Sequence, residues 1–497
     1  MAVGKVYLVG AGPGDPGLLT LKGRACLEQA DLVLYDGLVN PSILRHSPAI
    51  AERTSRVNGP NGKKLNQEHI NQRLVEAGLA GKTVVRLKGG DPYIFGRGTE
   101  EAEALRAAGV PFEVVPGVTA ATAAGEYAGV SVTHRKLASA VAFVTGHEDP
   151  SKPATLAYAA LAAFPGTLVF YMGLARIEAI AGSLVEHGKD PDTPACVVSR
   201  ASRARQRTVP GELSNIATRV HEAGLSAPSL IIIGECAIQH ETLQWFEQQP
   251  LFGKRIAVTR AAAQAEPTVQ TIHQLGGEAV LMPLIQASPP RDWNAVDATI
   301  DGLSKFEWLA FTSANGVRFF FERMHARGFD GRKLGSTRIA AVGRSTADAL
   351  REFHVHADLV PNTQNAEGLA QAMLDAGVSG SVLWLRGDRG RDTLSDLLGA
   401  AGVEVVQSET YVSADVSLSE SGQSDLRSGD VDWICLASPA MAANLAATVE
   451  VSDKVNIAAI SPLTSQAARD AGLRVDVEAT DYSWAGMIQA IVDRECR

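Results

Sequence analysis

The sequence lacks the features that mark several large classes of protein. Its 497 residues contain no run of about 18 apolar residues, so we predict no membrane-spanning helix and no membrane partner. The five cysteines (26, 196, 236, 435 and 496) are scattered and form no C-x-x-C pair, which favours reduced thiols and a cytoplasmic location. His354-Val355-His356 has no further ligands nearby in sequence, so we predict no metal site.

An excess of positive charge is also missing. Lys and Arg number 46 against 55 Asp and Glu, and the net charge is −9. The chain is neutral through Pro250, and the whole negative excess follows that residue. Nucleic-acid binding usually needs a basic excess, so we predict no nucleic-acid partner. An anionic substrate must therefore be held by local clusters of cationic residues.

Alternating strands and helices are what the sequence does contain. Short apolar runs such as Val6–Val9, Thr83–Leu87 and Leu309–Thr312 alternate with Ala/Glu/Leu-rich segments along both halves. This alternation predicts an α/β fold throughout, with sizeable buried cores in about three domains.

Glycine turns follow several strands of the first half. They contain Gly10–Asp15, Lys88–Pro92, Pro116–Ala120, Gly146-His147 and Met172-Gly173. One such turn is weak evidence, because turns need glycine anyway. Five of them at strand ends favour a ligand site, since open α/β sheets bind ligands at that edge.

The first turn formally matches a dinucleotide motif. Gly12 to Gly17 satisfies G-x-G-x-x-G, and Asp36 ends the next strand near the spacing expected of a ribose ligand. Pro13 and Pro16 argue against that interpretation, because each lacks the N–H that such a motif directs at a pyrophosphate. The glycines favour close backbone approach to another ligand.

The first half resembles the tetrapyrrole methylases, which use S-adenosylmethionine. The opening motif Gly10-x-Gly12-Pro13-Gly14-Asp15 is shared. Four further stretches narrow the match to uroporphyrinogen-III C-methyltransferase over about residues 3–240: Arg86–Gly98, Val115–Ala120, Thr133–Arg135 and Tyr171–Gly173. The resemblance implies a fold of two α/β subdomains, S-adenosylmethionine as methyl donor, and methylation of uroporphyrinogen III to precorrin-2.

The resemblance also implies the site residues. It assigns Asp36 as the catalytic base and cofactor contacts to Pro13, Gly89, Gly90, Asp91, Ile94, Thr119, Ala120, Met172 and Ala201. A residue like Asp36 after a strand is otherwise a common turn or helix-cap residue, and that alternative stays open.

The sequence departs from the family in two places. Asn58 stands where the family carries a lysine proposed as a proton donor, so either Lys63 or Lys64 takes that role or the role is dispensable. The second departure is an arginine-rich run containing Arg200, Arg203, Arg205 and Arg207. Guanidinium groups match carboxylate geometry, so these residues are candidates for holding an octacarboxylic tetrapyrrole; a solvated loop is the alternative.

The second half resembles uroporphyrinogen-III synthase over about residues 253–497. Its strands end in small polar turns such as Thr312–Gly316 and Ser461–Thr464, which suit anionic groups but also serve as ordinary helix N-caps. The resemblance implies a two-lobed α/β fold that folds hydroxymethylbilane for closure with inversion of ring D. It points to Tyr411 as the residue that assists departure of the hydroxyl, and to Thr312, Ser313, Ser438 and Thr464 as carboxylate binders.

The domain boundaries follow from these two resemblances. We place the methyltransferase at residues 1–240, a linker at 241–252 and the synthase at 253–497. Lobe one would contain about 253–288 and 412–497, and lobe two about 289–411. We expect a bifunctional enzyme and a homodimer formed through the methyltransferase half. The competing hypothesis is an NAD-dependent oxidoreductase followed by a non-catalytic, two-lobed ligand-binding half.

Overall fold

A computed structural model describes residues 2–54, 66–147 and 156–496 of the chain. Contacts divide the chain into two compact units, residues 1–282 with 419–497, and residues 283–418. None of the helices in the described ranges is long and apolar enough to cross a membrane.

The first half alternates strands and helices as the sequence predicts. Its strands are β1 (Lys5–Gly10), β2 (Leu32–Asp36), β3 (Ile50–Thr54), β4 (Thr83–Lys88), β5 (Phe112–Val115), β6 (Val141–Thr145), β7 (Thr167–Tyr171), β8 (Pro194–Ser199), β9 (Arg207–Glu212) and β10 (Ser229–Ile233). Its helices are α1 (Leu21–Glu28), α2 (Gln67–Leu79), α3 (Gly98–Ala107), α4 (Ala120–Ala128), α5 (Tyr158–Ala162), α6 (Ile177–Glu186), α7 (Ile216–Glu222) and α8 (His240–Leu243).

The second half continues the alternation. Its strands are β11 (Arg255–Val258), β12 (Glu278–Leu281), β13 (Ile285–Ser288), β14 (Trp308–Phe311), β15 (Arg338–Ala341), β16 (Val382–Gly387), β17 (Val405–Asp415), β18 (Trp433–Leu436), β19 (Asn456–Ala459) and β20 (Val477–Glu478). Its helices are α9 (Glu266–Gln274), α10 (Asn294–Asp301), α11 (Ala314–Ala326), α12 (Arg344–Glu352), α13 (Ala366–Asp375), α14 (Thr393–Ala400), α15 (Glu420–Ser428), α16 (Pro439–Thr448), α17 (Pro462–Asp470) and α18 (Trp484–Glu495).

The first sheet positions the glycine turns. Its five strands are all parallel, in the order β3-β2-β4-β1-β5. Val6, Leu8 and Val9 of β1 are fully buried, as expected for a parallel strand covered on both faces. Because parallel strands bring their carboxyl ends to one edge, the turns after β1, β4 and β5 meet there, together with Asp36 at the end of β2.

The second sheet is mixed, in the order β6-β7-β10-β8-β9, with only β6 and β7 parallel. Strand β9, with the sequence Arg-Thr-Val-Pro-Gly-Glu, has no apolar run that predicts a strand. Antiparallel pairing with the buried β8 forms it nonetheless. Arg207 therefore lies on a strand, whereas the sequence places it in a loop.

The second half contains two further five-stranded sheets, which confirms an α/β fold in both halves. One has the order β12-β11-β18-β19-β20 and is parallel; it belongs to the larger unit with the first two sheets. The other has the order β13-β17-β16-β14-β15 and forms the smaller unit. In this sheet β13 pairs antiparallel with the end of the long β17. Residues 285–288 and 412–415, which we assigned to lobe one, therefore extend the sheet of lobe two. The domain boundaries themselves stay a prediction.

Candidate functional site

Three glycine turns touch one another at the carboxyl edge of the first sheet. Gly12 and Gly90 exchange backbone hydrogen bonds, with N–O distances of 3.2 and 2.7 Å, and both have positive φ angles (+76° and +71°). A Cβ atom on Gly10 would lie 2.5 Å from the Gly117 Cα, and one on Gly117 would lie 2.3 Å from the Gly90 carbonyl oxygen. Side chains are excluded at these contacts, so backbone atoms form this part of the site.

The carboxylate of Asp91 ties two of the turns together. Its Oδ1 accepts hydrogen bonds from the backbone N–H groups of Tyr93 (2.8 Å) and Ile94 (3.2 Å), and its Oδ2 accepts from the Gly117 N–H (3.1 Å). Asp91 therefore holds the turn after β4 against the turn after β5.

Tyr171, at the end of β7, connects the second subdomain to the turn after β5. Its hydroxyl lies 2.6 Å from the Thr119 Oγ1 and 2.9 Å from the backbone nitrogen of Ala121, whose N–H it accepts. Burial raises the pKa of Tyr171, so the phenol stays protonated. Met172, the next residue, has a φ of +55° and a half-exposed side chain. Sequence analysis missed Tyr171; its place at a strand end before a glycine turn is the signal that could have found it.

Apolar side chains are left uncovered around these polar groups. Ile94, Phe95 and Met172 are 36%, 40% and 53% exposed, and the Phe95 ring lies 4.8 Å from that of Tyr171. Apolar surface beside a carboxylate, a hydroxyl and backbone groups fits the adenine, ribose and amino-acid parts of S-adenosylmethionine. The residues that the resemblance implied therefore form a chemically suitable cradle.

Ala201 lies close to the opening turn that contains Pro13. Pro13 lies between Gly12 and Gly14, and a Cβ atom on Gly14 would lie 3.2 Å from the Ala201 carbonyl oxygen. The Asp15 N–H donates to the Ser202 Oγ at 3.1 Å. Residues 16–18 form a separate short 3-10 helix capped by Asp15, and α1 begins only at Leu21. The turn thus does not run directly into an α-helix, as a dinucleotide motif requires.

Asp36 points into the same edge of the sheet. Both of its carboxylate oxygens lie 3.3 Å from the Gly89 nitrogen, and Oδ1 also accepts from the Leu38 N–H at 3.2 Å. Its side chain is 28% exposed. Asp36 is therefore a turn residue, as the alternative interpretation held. Its carboxylate is nevertheless partly exposed to solvent beside the three glycine turns.

A buried ionic cluster lies behind Asp36, and sequence analysis missed it. Arg86, Lys88 and Glu101 are at most 3% exposed. A single oxygen of Glu101, Oε1, accepts from the Arg86 Nε (3.0 Å), the Lys88 Nζ (2.9 Å) and the Gln67 side chain (3.1 Å). Burial lowers the pKa of Lys88. The Arg86 Nη2 lies 4.0 Å from the Asp36 Oδ2.

The four arginines of the arginine-rich run have different surroundings. Arg203 donates to the Leu38 carbonyl oxygen (2.7 Å), and Arg205 binds the side chain and backbone of Asp430. Arg203 and Arg205 thus make protein contacts, which corrects the expectation that all four hold substrate. Arg200 and Arg207 are exposed and line, with Leu225 and Phe252, a pocket of about 430 Å³. The described residues provide no hydrogen bond or ion pair to either guanidinium group.

The smaller unit contains the predicted residues Tyr411, Ser313 and Thr312. The Tyr411 hydroxyl lies 3.0 Å from the Ser313 Oγ, and its ring stacks on Phe319 at 5.8 Å. Burial raises the pKa of Tyr411. Ser313 also caps α11 by accepting from the Gly316 N–H, and the Thr312 hydroxyl accepts from the Trp384 indole N–H at 2.9 Å.

Ser438 and Thr464 belong to the larger unit. Ser438 caps α16, and its Oγ accepts from the Met441 N–H at 3.3 Å. Thr464 is only 1% exposed, and its hydroxyl lies 3.2 Å from the Ser461 Oγ. Burial of Thr464 argues against direct contact with a substrate carboxylate and corrects that expectation. The family lysine position, Asn58, and the alternatives Lys63 and Lys64 lie outside the described residues.

Comparison with known proteins finds a different family in each half of the chain. A family model described as tetrapyrrole (corrin/porphyrin) methylases matches residues 5–217, and one described as uroporphyrinogen-III synthase HemD matches residues 266–489. The porphyrin biosynthesis protein HemD of Ruminiclostridium josui is 37% identical over 370 residues, which cover 74% of this chain and 73% of that protein.

Two further relatives match the first half. The S-adenosyl-L-methionine-dependent uroporphyrinogen III methyltransferase of Methanosarcina barkeri is 48% identical, over 48% of this chain and 94% of that protein. A solved structure of uroporphyrin-III C-methyl transferase from Thermus thermophilus, complexed with S-adenyl homocysteine, is 41% identical over 47% of this chain and 99% of that one, with a TM-score of 0.41. The chain belongs to the tetrapyrrole methylase family in its N-terminal half and to the uroporphyrinogen-III synthase family in its C-terminal half.

Proposed function

We propose that the chain catalyses two consecutive steps of tetrapyrrole synthesis. The C-terminal half cyclises hydroxymethylbilane to uroporphyrinogen III with inversion of ring D. The N-terminal half methylates uroporphyrinogen III at C2 and C7 to give precorrin-2. The observation that carries the first-half assignment is the junction of three glycine turns with Asp36, Asp91 and Tyr171 at one sheet edge.

S-adenosylmethionine supplies the methyl group, and its sulfur keeps the electron pair of the broken carbon–sulfur bond. The protein mainly orients the reactants for in-line displacement. Backbone groups of the turns at Pro13, Gly89, Gly90, Thr119 and Ala120 hold the donor, and the side chains of Ile94 and Met172 cover its apolar parts. Asp91 fixes the turns, and Ala201 closes the cradle beside Gly14.

Asp36 accepts the proton that the macrocycle loses, from a position other than the methylated carbon, once the methyl group is attached. The Gly89 and Leu38 N–H groups orient its carboxylate as a base requires, and the Arg86 guanidinium lies 4.0 Å from it. Arg200 and Arg207, which the described protein leaves without ion-pair partners, grip carboxylates of uroporphyrinogen III.

Ring closure in the C-terminal half needs departure of a hydroxyl and selection of one folded substrate. The carbon–oxygen bond of the hydroxymethyl group breaks, and water leaves with a proton from Tyr411, whose raised pKa keeps the phenol protonated. A carbon–carbon bond then joins this methylene to the substituted carbon of ring D, which already carries the methylene bridge to ring C. That older bridge bond breaks, and its methylene forms a new bond to the unsubstituted α-carbon of ring D, which inverts the ring. The proton that this carbon loses as ring D regains aromaticity returns to Tyr411. Thr312, Ser313 and Ser438 hold carboxylates of the folded bilane.

Incubation of the full chain with hydroxymethylbilane, with and without S-adenosylmethionine, tests both activities. We expect uroporphyrinogen III without the donor and its dimethylated product with it, identified by chromatography and mass. Type I isomer alone would contradict the synthase assignment, and unmethylated type III product in both samples would contradict the methyltransferase assignment.

A thermal-shift measurement separates the methyltransferase from an oxidoreductase. Adenosylhomocysteine at 100 times its Kd should stabilise the chain by about 2.7 kcal/mol, whereas NAD should leave Tm unchanged. The opposite result would support the dinucleotide interpretation of Gly12–Gly17. A homodimer formed through the methyltransferase half and the absence of a metal requirement stay predictions.

A further inference from the structure

Two segments flank the proposed methyltransferase site. Residues that lie outside the site bind each of them. The base segment, residues 36–46, begins with Asp36, the last residue of β2. The arginine loop, residues 200–206, contains Ala201 and adopts positive φ angles at Arg200 (+51°) and Ser202 (+61°). Such angles are unfavourable outside glycine and persist only where surrounding contacts impose them.

An ion pair with α9 holds the base segment. The Arg45 Nε donates to the Glu266 Oε2 at 2.6 Å, and another Arg45 nitrogen binds the Ser42 carbonyl oxygen. The Arg45 side chain is 6% exposed, so removing its charged partner would leave a buried cation without compensation. Glu266 is the first residue of α9, in the synthase half, where the helix dipole favours a carboxylate.

A second ion pair holds the arginine loop. Arg205 donates to the Asp430 carboxylate and, at 2.9 Å, to its backbone oxygen. Asp430 directly follows Gly429, the residue that caps α15. Asp430 is itself fixed by Arg255, whose Nη1 lies 2.5 Å from its Oδ2. A backbone hydrogen bond from the Gly253 N–H to the Ala204 oxygen (3.0 Å) adds to this contact.

The two segments also hold each other. Arg203 of the arginine loop donates to the Leu38 oxygen of the base segment at 2.7 Å, and its side chain packs against Gly14 of the opening turn. Asn40 of the base segment donates to the Gly14 carbonyl oxygen at 2.8 Å. Base, opening turn and arginine loop therefore form one connected assembly, with one anchor at Glu266 and another at Asp430.

We propose that the synthase half braces the methyltransferase site, and that Glu266 and Asp430 are positioning residues for methyl transfer. Glu266 acts through Arg45 on the segment that carries Asp36. Asp430 acts through Arg205 on the loop that carries Ala201. This inference rests on the proposed methyltransferase function.

Two single variants of the full chain test the braces separately. Glu266→Ala should lower kcat for methylation about tenfold, because it releases the base segment, and leave the Kd for adenosylhomocysteine unchanged. Asp430→Ala should raise that Kd about tenfold, because it releases the loop beside the donor. Ring closure of hydroxymethylbilane, measured on the same samples, should keep its wild-type rate.

Glu52→Ala is the matched control. Glu52 pairs with Arg73 at 2.7 Å, within the first subdomain, and both side chains are 40% exposed. Its loss should change neither methylation nor adenosylhomocysteine binding. Wild-type kcat and Kd in both brace variants would overturn the inference, and so would an equal loss of methylation and ring closure, which indicates general destabilisation.

Double-mutant cycles distinguish bracing from a direct role of the arginines. If Arg205 acts only through Asp430, then Arg205→Gln should add nothing to Asp430→Ala. An additive loss would overturn this half of the inference, since it would place Arg205 on the substrate. Absence of methylation by the wild-type chain would instead contradict the proposed function, so the two failures are distinguishable.

Discussion

Asp36 shows how one side chain can serve both structure and chemistry. Its carboxylate accepts the Gly89 and Leu38 N–H groups, as a turn residue does, yet it remains 28% exposed at the edge where the cofactor turns meet. Those hydrogen bonds fix its direction without occupying every lone pair. The structural and the catalytic interpretation of this residue therefore do not compete.

Asp36→Asn should separate the two roles. The amide oxygen can still accept the turn hydrogen bonds, but the side chain no longer accepts a proton. Methylation should fall by about 10²–10⁴-fold, while the Tm increase with adenosylhomocysteine stays as in the wild type. Asp31→Asn, at the other end of the same strand, is the control, because Asp31 only binds the Thr83 N–H. Full methylation by Asp36→Asn would remove the base assignment.

The two exposed arginines of the arginine-rich run, Arg200 and Arg207, allow a test of substrate binding. Changing Arg200 and Arg207 together to Gln should raise KM for uroporphyrinogen III about tenfold or more, since each charge-assisted hydrogen bond contributes about 1.5–3 kcal/mol. KM for S-adenosylmethionine should barely change. Arg106→Gln, an exposed change on α3, serves as control. An unchanged KM in the double variant would favour a solvated loop.

Tyr411 is expected to affect the rate of ring closure and not its outcome. Tyr411→Phe keeps the ring stacked on Phe319 but removes the proton donor, so closure should slow by up to about 10²–10⁴-fold with the type III isomer retained. Because burial raises its pKa above the usual 10.0, ionisation of the phenol should not reduce wild-type turnover below pH 10. Tyr482→Phe, at an exposed site, is the control. A changed isomer ratio would show that Tyr411 helps to fold the bilane.

At the scale of elements, the site depends on three strand ends that approach more closely than side chains permit. Parallel pairing brings β1, β4 and β5 to one edge, and glycine at residues 10, 90 and 117 lets their turns touch. Ser313 and Ser438, in contrast, cap helices α11 and α16. Their helix-capping role is thus confirmed, and carboxylate binding stays a prediction for them.

Gly117→Ala should disrupt the junction of the turns. The added Cβ would meet the Gly90 oxygen at 2.3 Å, and crowding of this kind typically destabilises a protein by about 1–3 kcal/mol. We expect adenosylhomocysteine binding to be lost in calorimetry while ring closure continues. Gly182→Ala in helix α6 is the matched control, because its Cβ would meet nothing within 4 Å. It should be neutral or stabilising by up to about 1 kcal/mol. Normal binding by Gly117→Ala would argue against the cradle.

At the scale of the whole molecule, the N-terminal half shares one compact unit with part of the C-terminal half, while residues 283–418 form the other unit. Residues 1–282 and 419–497 cluster together, and the ion pairs of Glu266 and Asp430 lie where the methyltransferase meets the parallel sheet of the synthase half. Hydrogen bonding to Arg45 lowers the pKa of Glu266. Burial opposes the shift for Asp430, yet Arg205 and Arg255 lower its pKa overall.

These lowered pKa values predict how the braces respond to acid. A carboxyl group whose pKa is lower in the folded than in the unfolded chain adds stability above its unfolded pKa, and loses it as the pH falls. The difference in unfolding free energy between the wild type and the Glu266→Ala, Asp430→Ala double variant should therefore be constant from pH 6 to 8. It should shrink below about pH 4.5, measured by urea unfolding. A difference that persists unchanged at acid pH would show that the carboxylate charges contribute nothing.

The sequence by itself determined the α/β alternation, the family of each half and the strand ends that carry the site. These features are local: apolar runs form strands, glycine permits close turns, and the motifs from Arg86 to Gly98 and from Val115 to Ala120 are each one continuous stretch of the chain. Asp36, Gly90 and Thr119 could accordingly be predicted from the sequence to lie at the carboxyl edge of the first sheet, and their cofactor and catalytic roles stay a prediction.

Only the tertiary structure decided which charged side chains are bound by other groups of the protein. Arg203 and Arg205 look like Arg200 and Arg207 in sequence, but their partners, Leu38 and Asp430, lie 165 and 225 residues away. The hydroxyl of Thr464 is buried by packing that no local pattern shows, and Tyr171 reaches Thr119 across two subdomains. The energy of a charge or a hydroxyl depends on its burial and its partner, and both are properties of the folded chain.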